Sequence, residues 1–354
     1  VTSSDKPIRV LVAGLGNMGR SHALAYHNNP GFEIVGLVNR SQPKLDPALA
    51  GYTIHPDFLA ALEELKPDLC SICTYSDSHA DYAVAAFEAG CDVFVEKPLA
   101  TTVADAQRVV AAANKAGKKL VIGYILRHHP SWIRLIAEAR KLGPPYVFRM
   151  NLNQQSSGPT WEVHKALLQT TPPIVDCGVH YVDVMCQITD AKAVEVRGMG
   201  LRLSDEIAPD MYNYGHLQVL FEDGSLGWYE AAWGPMISET AFFVKDVMSP
   251  KGSVSIVMDP KAKSDDIDTH TKTSVIRLHN AETGPDGKFV RPDEDMTMAG
   301  EPGHQDLCDI EQAYVLKAIR ENIDLTRHMD DAVQSLRICL AADESARTGQ
   351  PIRL

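Results

Sequence analysis

The sequence predicts an α/β protein, with an N-terminal doubly wound parallel (Rossmann) sheet followed by a C-terminal α/β domain built on a large open, mainly antiparallel sheet. Three observations carry this expectation. Apolar strand-like runs alternate with helical runs from Ile8 to Tyr124, the alternation that builds βαβ units. A glycine-rich turn, GLGNMG at Gly14 to Gly19, stands between the first strand and the first helix. After about residue 126 strands dominate, and a polar Glu222-Asp223-Gly224-Ser225 segment reads as a hairpin turn, the signature of antiparallel pairing.

Taken in order, Ile8 to Ala13 (IRVLVA) is apolar throughout, as a strand buried on both faces must be. In the turn that follows, Gly14 permits the tight bend, Gly16 lets a pyrophosphate approach the backbone, and Gly19 lets helix lie on strand. The helix amino terminus then offers free N–H groups to the phosphates, with Asn17 and Met18 inside the turn. The second strand, Glu33 to Val38, ends at Asn39, 20 residues after Gly19, where folds preferring NAD place an acidic residue on the ribose 2′-hydroxyl. Asn39, Arg40 and Ser41 stand there instead. No carboxylate repels a 2′-phosphate and Arg40 can pair with one, so NADP(H) is favoured, with NAD(H) the alternative; Arg40 stacking on adenine is the competing reading.

Tyr52 to His55 is a minor strand, Asp57 to Leu65 an amphipathic helix, and Leu69 to Thr74 the next strand. Tyr75 to Ser78 leads into a helix from His79 to Ala89 that Gly90 stops. In CDVFVEKPL, Asp92 to Val95 is a short strand that ends at Glu96, Lys97 and Pro98. Proline cannot donate to a ladder, so Glu96 and Lys97 sit at the carboxyl end of the strand, the edge where open α/β sheets bind ligands. Thr102 then caps a helix to Ala116 that Gly117 ends, and Lys119 to Tyr124 is the last strand of this alternation.

Beyond it, Pro130 to Leu142 and Asp176 to Ile188 read as helices. Strands are expected at Tyr146 to Gln154, Ala193 to Leu203, His216 to Phe221, Leu226 to Trp233 and Ala241 to Val244. Asp259 to Gly303 reads as a polar excursion with short strands, and two helices, about Gln305 to Glu321 and Met329 to Ala346, close the chain. In DCGVHYVD, Asp176 and His180 are four apart and share a helix face. A carboxylate and an imidazole so placed can orient a hydroxyl and remove its proton, although structural Asp–His pairs also occur.

Composition bounds the partners. The 354 residues carry 34 Lys and Arg against 46 Asp and Glu, a net charge of -12, which opposes nucleic acid and anionic lipid. No apolar run is long enough for a transmembrane helix, and VTSSDKPIRV lacks a charged-then-apolar signal pattern. Seven cysteines are too sparse for a disulfide framework, so a reducing cytoplasm is expected. Cys70 and Cys73 form a C-x-x-C inside an apolar strand with no second ligand pair nearby; they read as buried small hydrophobes, and no metal is expected.

Together these residues resemble the glucose-fructose oxidoreductase / inositol dehydrogenase / rhizopine catabolism (Gfo/Idh/MocA) family over nearly the whole chain. GLGNMG resembles its cofactor loop, EKPLA (Glu96 to Ala100) its lysine motif, and DCGVHYVD its D-x-G-x-H helix. GYILRHHP (Gly123 to Pro130) is similar to its hinge and LQVLFEDGSLGWYEAAWG (Leu217 to Gly234) to its sheet hairpin. The resemblance implies a Rossmann domain, here 1–126, and a substrate-binding and oligomerisation domain, here 127–354. It implies Lys97, Asp176 and His180 as catalytic residues of an NAD(P)-dependent dehydrogenase acting on a sugar, sugar derivative or cyclitol. It also implies a homo-oligomer formed through the C-terminal sheet. Arg127, Trp161, His164 and Tyr214 are candidate substrate contacts, and Glu96, Lys97, Thr74, His79 and Ser41 candidate cofactor contacts. Alternatives are a same-fold enzyme that uses transient oxidation for elimination or glycosidic cleavage, and a non-catalytic dinucleotide sensor. Three departures stand out: Tyr75 stands where proline often follows the threonine, Thr170-Thr171-Pro172-Pro173 replaces a glycine-rich run, and Arg127-His128-His129 replaces an Arg-aromatic-Asp; the last two reshape the expected sugar pocket.

Overall fold

The structure, a computed structural model, describes residues 6–266, 268–270, 273 and 275–354. Positions 267, 271, 272 and 274 of the expected polar excursion, and the first five residues, lie outside the described residues. The first part of the chain runs β1 (Ile8–Ala13), α1 (Asn17–Asn28), β2 (Phe32–Val38), β3 (Ile54–His55), α2 (Phe58–Leu65), β4 (Leu69–Ile72), α3 (His79–Glu88), β5 (Asp92–Glu96), α4 (Val103–Ala116) and β6 (Leu120–Gly123). It continues through α5 (Pro130–Leu142), β7 (Val147–Gln155), α6 (Gly158–Leu167), α7 (Pro173–Asp176), α8 (Gly178–Thr189), β8 (Ala193–Leu201), β9 (Tyr214–Phe221) and β10 (Leu226–Gly234). The remainder is β11 (Lys245–Ser249), β12 (Gly252–Val257), β13 (Val275–Asn280), β14 (Glu294–Thr297), α9 (His304–Arg320), α10 (Thr326–Thr348) and β15 (Ile352–Arg353).

The chain forms two compact units, Val1–Ile125 with His304–Val333, and Leu126–Gly303 with Gln334–Leu354. Two continuous spans were expected. The chain instead returns to the first unit because α9 buries its apolar face there: Val315 and Ala318 join Tyr26, Phe32 and Phe94 in one core.

The first unit carries a six-stranded parallel sheet in the order β3-β2-β1-β4-β5-β6. The order reverses between β1 and β4, which creates the crevice at the carboxyl ends where such sheets bind ligands. Local signals fix the helices: the Asp57 carboxylate accepts from Ala60 N at 2.8 Å to start α2, and Thr102 Oγ1 accepts from Asp105 N at 3.0 Å to start α4. β5 extends one residue past the expected end, so that Glu96 pairs with Gly123 as the last rung of the ladder.

The second unit carries a nine-stranded mixed sheet in the order β14-β13-β12-β11-β7-β10-β9-β8-β15. β7 and β10 pair in parallel and the rest antiparallel. The hairpin at Glu222 to Ser225 is present, with Gly224 at φ 81 and Phe221 N donating to Ser225 O. Burial alternates along β9, with Gly215, Leu217, Val219 and Phe221 inward, so the sheet has one helix-covered and one open face.

Three local expectations are corrected. No strand forms at Ala241 to Val244; the Asn151 side chain takes over there, accepting from Val244 N at 2.6 Å and donating to Phe242 O at 3.1 Å, and pairing starts at Lys245. The helix expected from Asp176 is two segments, α7 and α8, separated at Cys177. α6 and β12 were not anticipated: α6 is short and opens on Gly158 and Pro159, which read as a loop, and β12 is a short run of small residues, GSVSIV.

Candidate active site

In the first unit the glycine turn fits a dinucleotide pyrophosphate. Gly14 has φ +87, and a Cβ on it would meet Cys73 O at 2.5 Å; a Cβ on Gly19 would meet Gly14 O at 1.9 Å. Those two glycines are therefore required by the protein's own backbone. Gly16 differs: nothing lies within 4 Å of a Cβ built there, and it is exposed at the N-cap of α1. That open space is the room a phosphate group needs against the helix amino terminus.

Neighbouring side chains divide into those that build the turn and those that face outward. Asn39 Oδ1 accepts from Leu15 N at 3.1 Å, and its amide donates to Ser41 O at 2.7 Å, so Asn39 and Ser41 brace the turn. Asn17 accepts from Arg20 at 2.8 Å, and Met18 is half-buried. Arg40 is exposed and, among the described residues, enters no ion pair. Thr74 Oγ1 lies 2.7 Å from Ser78 Oγ. His79 is buried with Nδ1 2.8 Å from Pro98 O and Nε2 3.0 Å from Thr74 O. Burial holds its imidazole below the usual range against the pull of those carbonyls. It pins the loop after β4 to the loop after β5, which differs from the cofactor contact expected of it.

Glu96 also has an internal role. Its Oε1 is 2.6 Å from His22 Nε2, and its Oε2 accepts from Lys97 N at 3.0 Å. His22 Nδ1 is 2.9 Å from Gln312 Nε2, and Tyr26 O–H donates to Gln312 Oε1 at 2.7 Å. The Glu311 carboxyl belongs to the same buried group; burial first, and the Glu96 carboxylate second, push it well up from the usual carboxylate range. His22, Glu96 and Glu311 have the residue types of a metal site. The 2.6 Å contact of His22 with Glu96 is nevertheless a hydrogen bond, well short of the ~3.3 Å that separates two ligands of one tetrahedral ion. None of His22, Glu311 or Gln312 was anticipated from the sequence.

Around this group, Cys91 to Ala100 is a buried run, and Lys97 is the one residue of that run that is not buried.

The second unit repeats the pattern. From Pro172 to Cys186 every residue is buried except Asp176 and His180. The run is held by ring contacts: Tyr181 lies between Trp132, with centroids 5.6 Å apart, and Tyr229, at 4.9 Å. His164 stacks on Trp233 at 4.5 Å and 12°, and its Nδ1 is 2.9 Å from Ser156 Oγ. Burial pushes the His164 imidazole down to about 4, with the Asp176 carboxylate pulling the other way; His164 is thus a neutral neighbour of Asp176 at working pH. Trp161 is buried and donates from Nε1 to Glu206 at 3.1 Å.

Two expected substrate contacts change. Arg127 forms a two-pronged pair with Asp183 at 2.9 and 2.6 Å, tying the segment before α5 to α8. Tyr214 pairs with Ala232 and therefore points to the face opposite Tyr229 and Trp233; its hydroxyl is 3.4 Å from Glu230 on that open face. It is thus on the far side of the sheet from α8 and His164.

A parallel sheet with a phosphate-sized opening at its switch point, and a mixed-sheet unit that presents one carboxylate and one imidazole, define a two-unit dinucleotide-binding protein. The chain belongs to the Gfo/Idh/MocA oxidoreductase family: "Oxidoreductase family, NAD-binding Rossmann fold" matches residues 8–124, and the family's C-terminal domain matches residues 132–240. The inositol 2-dehydrogenase of Salmonella typhimurium (strain LT2) is 30% identical over 195 residues, 52% of this chain and 56% of that protein. The chain thus matches just over half the length of that relative. The D-glucoside 3-dehydrogenase of Escherichia coli (strain K12) is 24% identical over 342 residues, covering 89% and 94% of the two chains. Scyllo-inositol dehydrogenase from Lactobacillus casei, solved with NAD(H) and scyllo-inositol, shares the fold at TM-score 0.76 and 18% identity, covering 98% and 99%.

Proposed function

We propose that the chain is a cytoplasmic, NAD(P)-dependent dehydrogenase that oxidises a secondary hydroxyl of a sugar, sugar derivative or cyclitol, or reduces the matching ketone. The observation that carries this reading is the exposure pattern: in two otherwise buried runs, Cys91–Ala100 and Pro172–Cys186, the residues left partly exposed are Lys97, Asp176 and His180. Burying such runs while leaving a cation, a carboxylate and an imidazole accessible serves chemistry at those three groups. His180 accepts the proton of the reacting hydroxyl. Lys97 donates a hydrogen bond to the same oxygen as negative charge develops on it. Asp176 orients a substrate hydroxyl. A nicotinamide cofactor, its pyrophosphate against Gly16, would accept the hydride from that carbon. Relatives named for inositol and for D-glucosides support a polyhydroxylated ring as substrate.

Arg40 and the absence of an acidic residue at Asn39 support a preference for NADP(H); NAD(H), present in the solved Lactobacillus casei structure, is the alternative. The open face of the nine-stranded sheet supports a homo-oligomer, since Met199 is 67% exposed, Leu201 55% and Leu220 42%. Among the described residues no helix is long and apolar enough to cross a membrane.

A panel of inositols, glucosides and aldoses offered with each oxidised cofactor, followed by absorbance of the reduced nicotinamide, tests the reading. Net accumulation of reduced cofactor is expected. Product formed without it would assign transient oxidation, and cofactor binding with no turnover of any kind would assign a sensor.

A further inference from the structure

We propose that the buried chain Tyr26–Gln312–His22–Glu96 is a positioning device for Lys97, fixing where that side chain leaves the sheet. The proposal rests on the assignment of Lys97 to the chemistry and extends it to residues that never meet substrate.

The β5–β6 ladder ends at the Glu96–Gly123 pair. The next backbone donor, Lys97 N–H, is held by Glu96 Oε2 at 3.0 Å. The carboxylate lies flat over Gly123: a Cβ there would stand 3.1 Å from its carbon and from both oxygens, so any other residue would push the carboxylate by a few tenths of an ångström. What holds the other oxygen is set by donor and acceptor counting. Tyr26 O–H donates to Gln312 Oε1 at 2.7 Å, leaving the amide N–H to donate to His22 Nδ1 at 2.9 Å. The proton of His22 therefore resides on Nε2 and is donated to Glu96 Oε1 at 2.6 Å. Tyr26, His22 and Gln312 are each 0% exposed, and Phe94 closes the His22 ring edge-on at 4.8 Å. No water can substitute for a link in a chain so enclosed, and every link runs in one direction. An error of about 1 Å in a reacting group costs on the order of 100-fold in rate, so a strand end that must present one ammonium gains from such a brace.

The experiment uses the full chain with the panel substrate of highest turnover. Glu96→Gln should lower kcat by about tenfold or more while leaving substrate KM and the NADH dissociation constant within about twofold. A purely structural role would lower the melting temperature without this split. The double variant Glu96→Gln/Gln312→Glu lets the chain run in reverse. The new carboxylate at position 312 accepts from Tyr26 and from His22 Nδ1–H. The new amide at position 96 donates to Nε2 and accepts from Lys97 N–H. It should recover kcat to within about threefold of wild type. If Glu96→Gln does not fold, Gln312→Met removes the Nδ1 donor without touching β5 and should show the same split. An unchanged kcat in the single variants, or a folded double variant no better than Glu96→Gln, would overturn the positioning role. Lys97→Ala is run alongside: turnover there within about tenfold of wild type would remove the lysine assignment itself, which separates the two failures.

Discussion

The run Cys91–Ala100 is a strand whose one accessible side chain, Lys97, comes where the ladder stops; the run Pro172–Cys186 is helical, and its accessible pair, Asp176 and His180, flanks the break at Cys177. The strand run is held by backbone pairing to β4 and β6 and by the His22–Glu96 network. The helical run has no ladder. It is held by side-chain contacts, Tyr181 against Trp132 and Tyr229, and by Arg127 gripping Asp183. The comparison teaches that one pattern, a partly exposed polar group on a buried run, is supported in one unit mainly by the main chain and in the other by side chains. Substitutions around α8 should therefore disturb geometry more readily than substitutions around β5.

The comparison can be broken at several points. His180→Ala removes the proposed proton acceptor and should lower kcat/KM by about 100- to 10,000-fold near neutral pH, with the fold intact by circular dichroism; a loss under tenfold would leave the helical run without its proposed chemical role. Gly16→Val should weaken both NADH and NADPH by about 100-fold or more in a fluorescence titration, because the side chain fills the phosphate space. The same variant should melt like wild type, since nothing of the protein lies within 4 Å of the added Cβ. Unaltered affinity would remove the glycine turn from cofactor binding. A smaller effect sharpens the cofactor choice. Arg40→Ala should weaken NADPH by about 1 to 3 kcal/mol more than NADH, and an equal loss for both would assign Arg40 to adenine stacking and favour NAD. The smallest expected effect is at Tyr214→Phe, which should change kcat and KM by less than about twofold because its hydroxyl faces the open side of the sheet; a tenfold loss would contradict that placement.

Legibility follows the same division. The first unit was readable because parallel strands buried on both faces give apolar runs, and turns and caps announce themselves: Thr102 to Asp105 and Gly14 to Gly19 are local signals. Lys97, Asp176 and His180 are candidates from their short motifs, and their partial exposure in otherwise buried runs supports the choice. What escaped depends on distant contacts. Nothing in the sequence near His22 indicates Gln312 as its partner, and Asn151 replaces a ladder at Phe242 to Val244 through a side chain. Tyr214 was misjudged because an alternating strand names two faces without saying which one helices cover. His79 and Glu96 stand at the right edge of the sheet, yet their polar atoms turn inward.

The central claim is that Lys97 and His180 act in the hydride-transfer step and not in holding the cofactor. A single-turnover experiment with saturating oxidised cofactor, monitored by absorbance of the reduced nicotinamide, compares wild type with Lys97→Ala and His180→Ala. NADH dissociation constants are measured in parallel. The account predicts cofactor affinities within about twofold of wild type and a rate constant for reduction at least about 100-fold lower in each variant. A reduction rate within about tenfold of wild type in either variant, or a loss of rate that merely follows a loss of cofactor affinity, would contradict it.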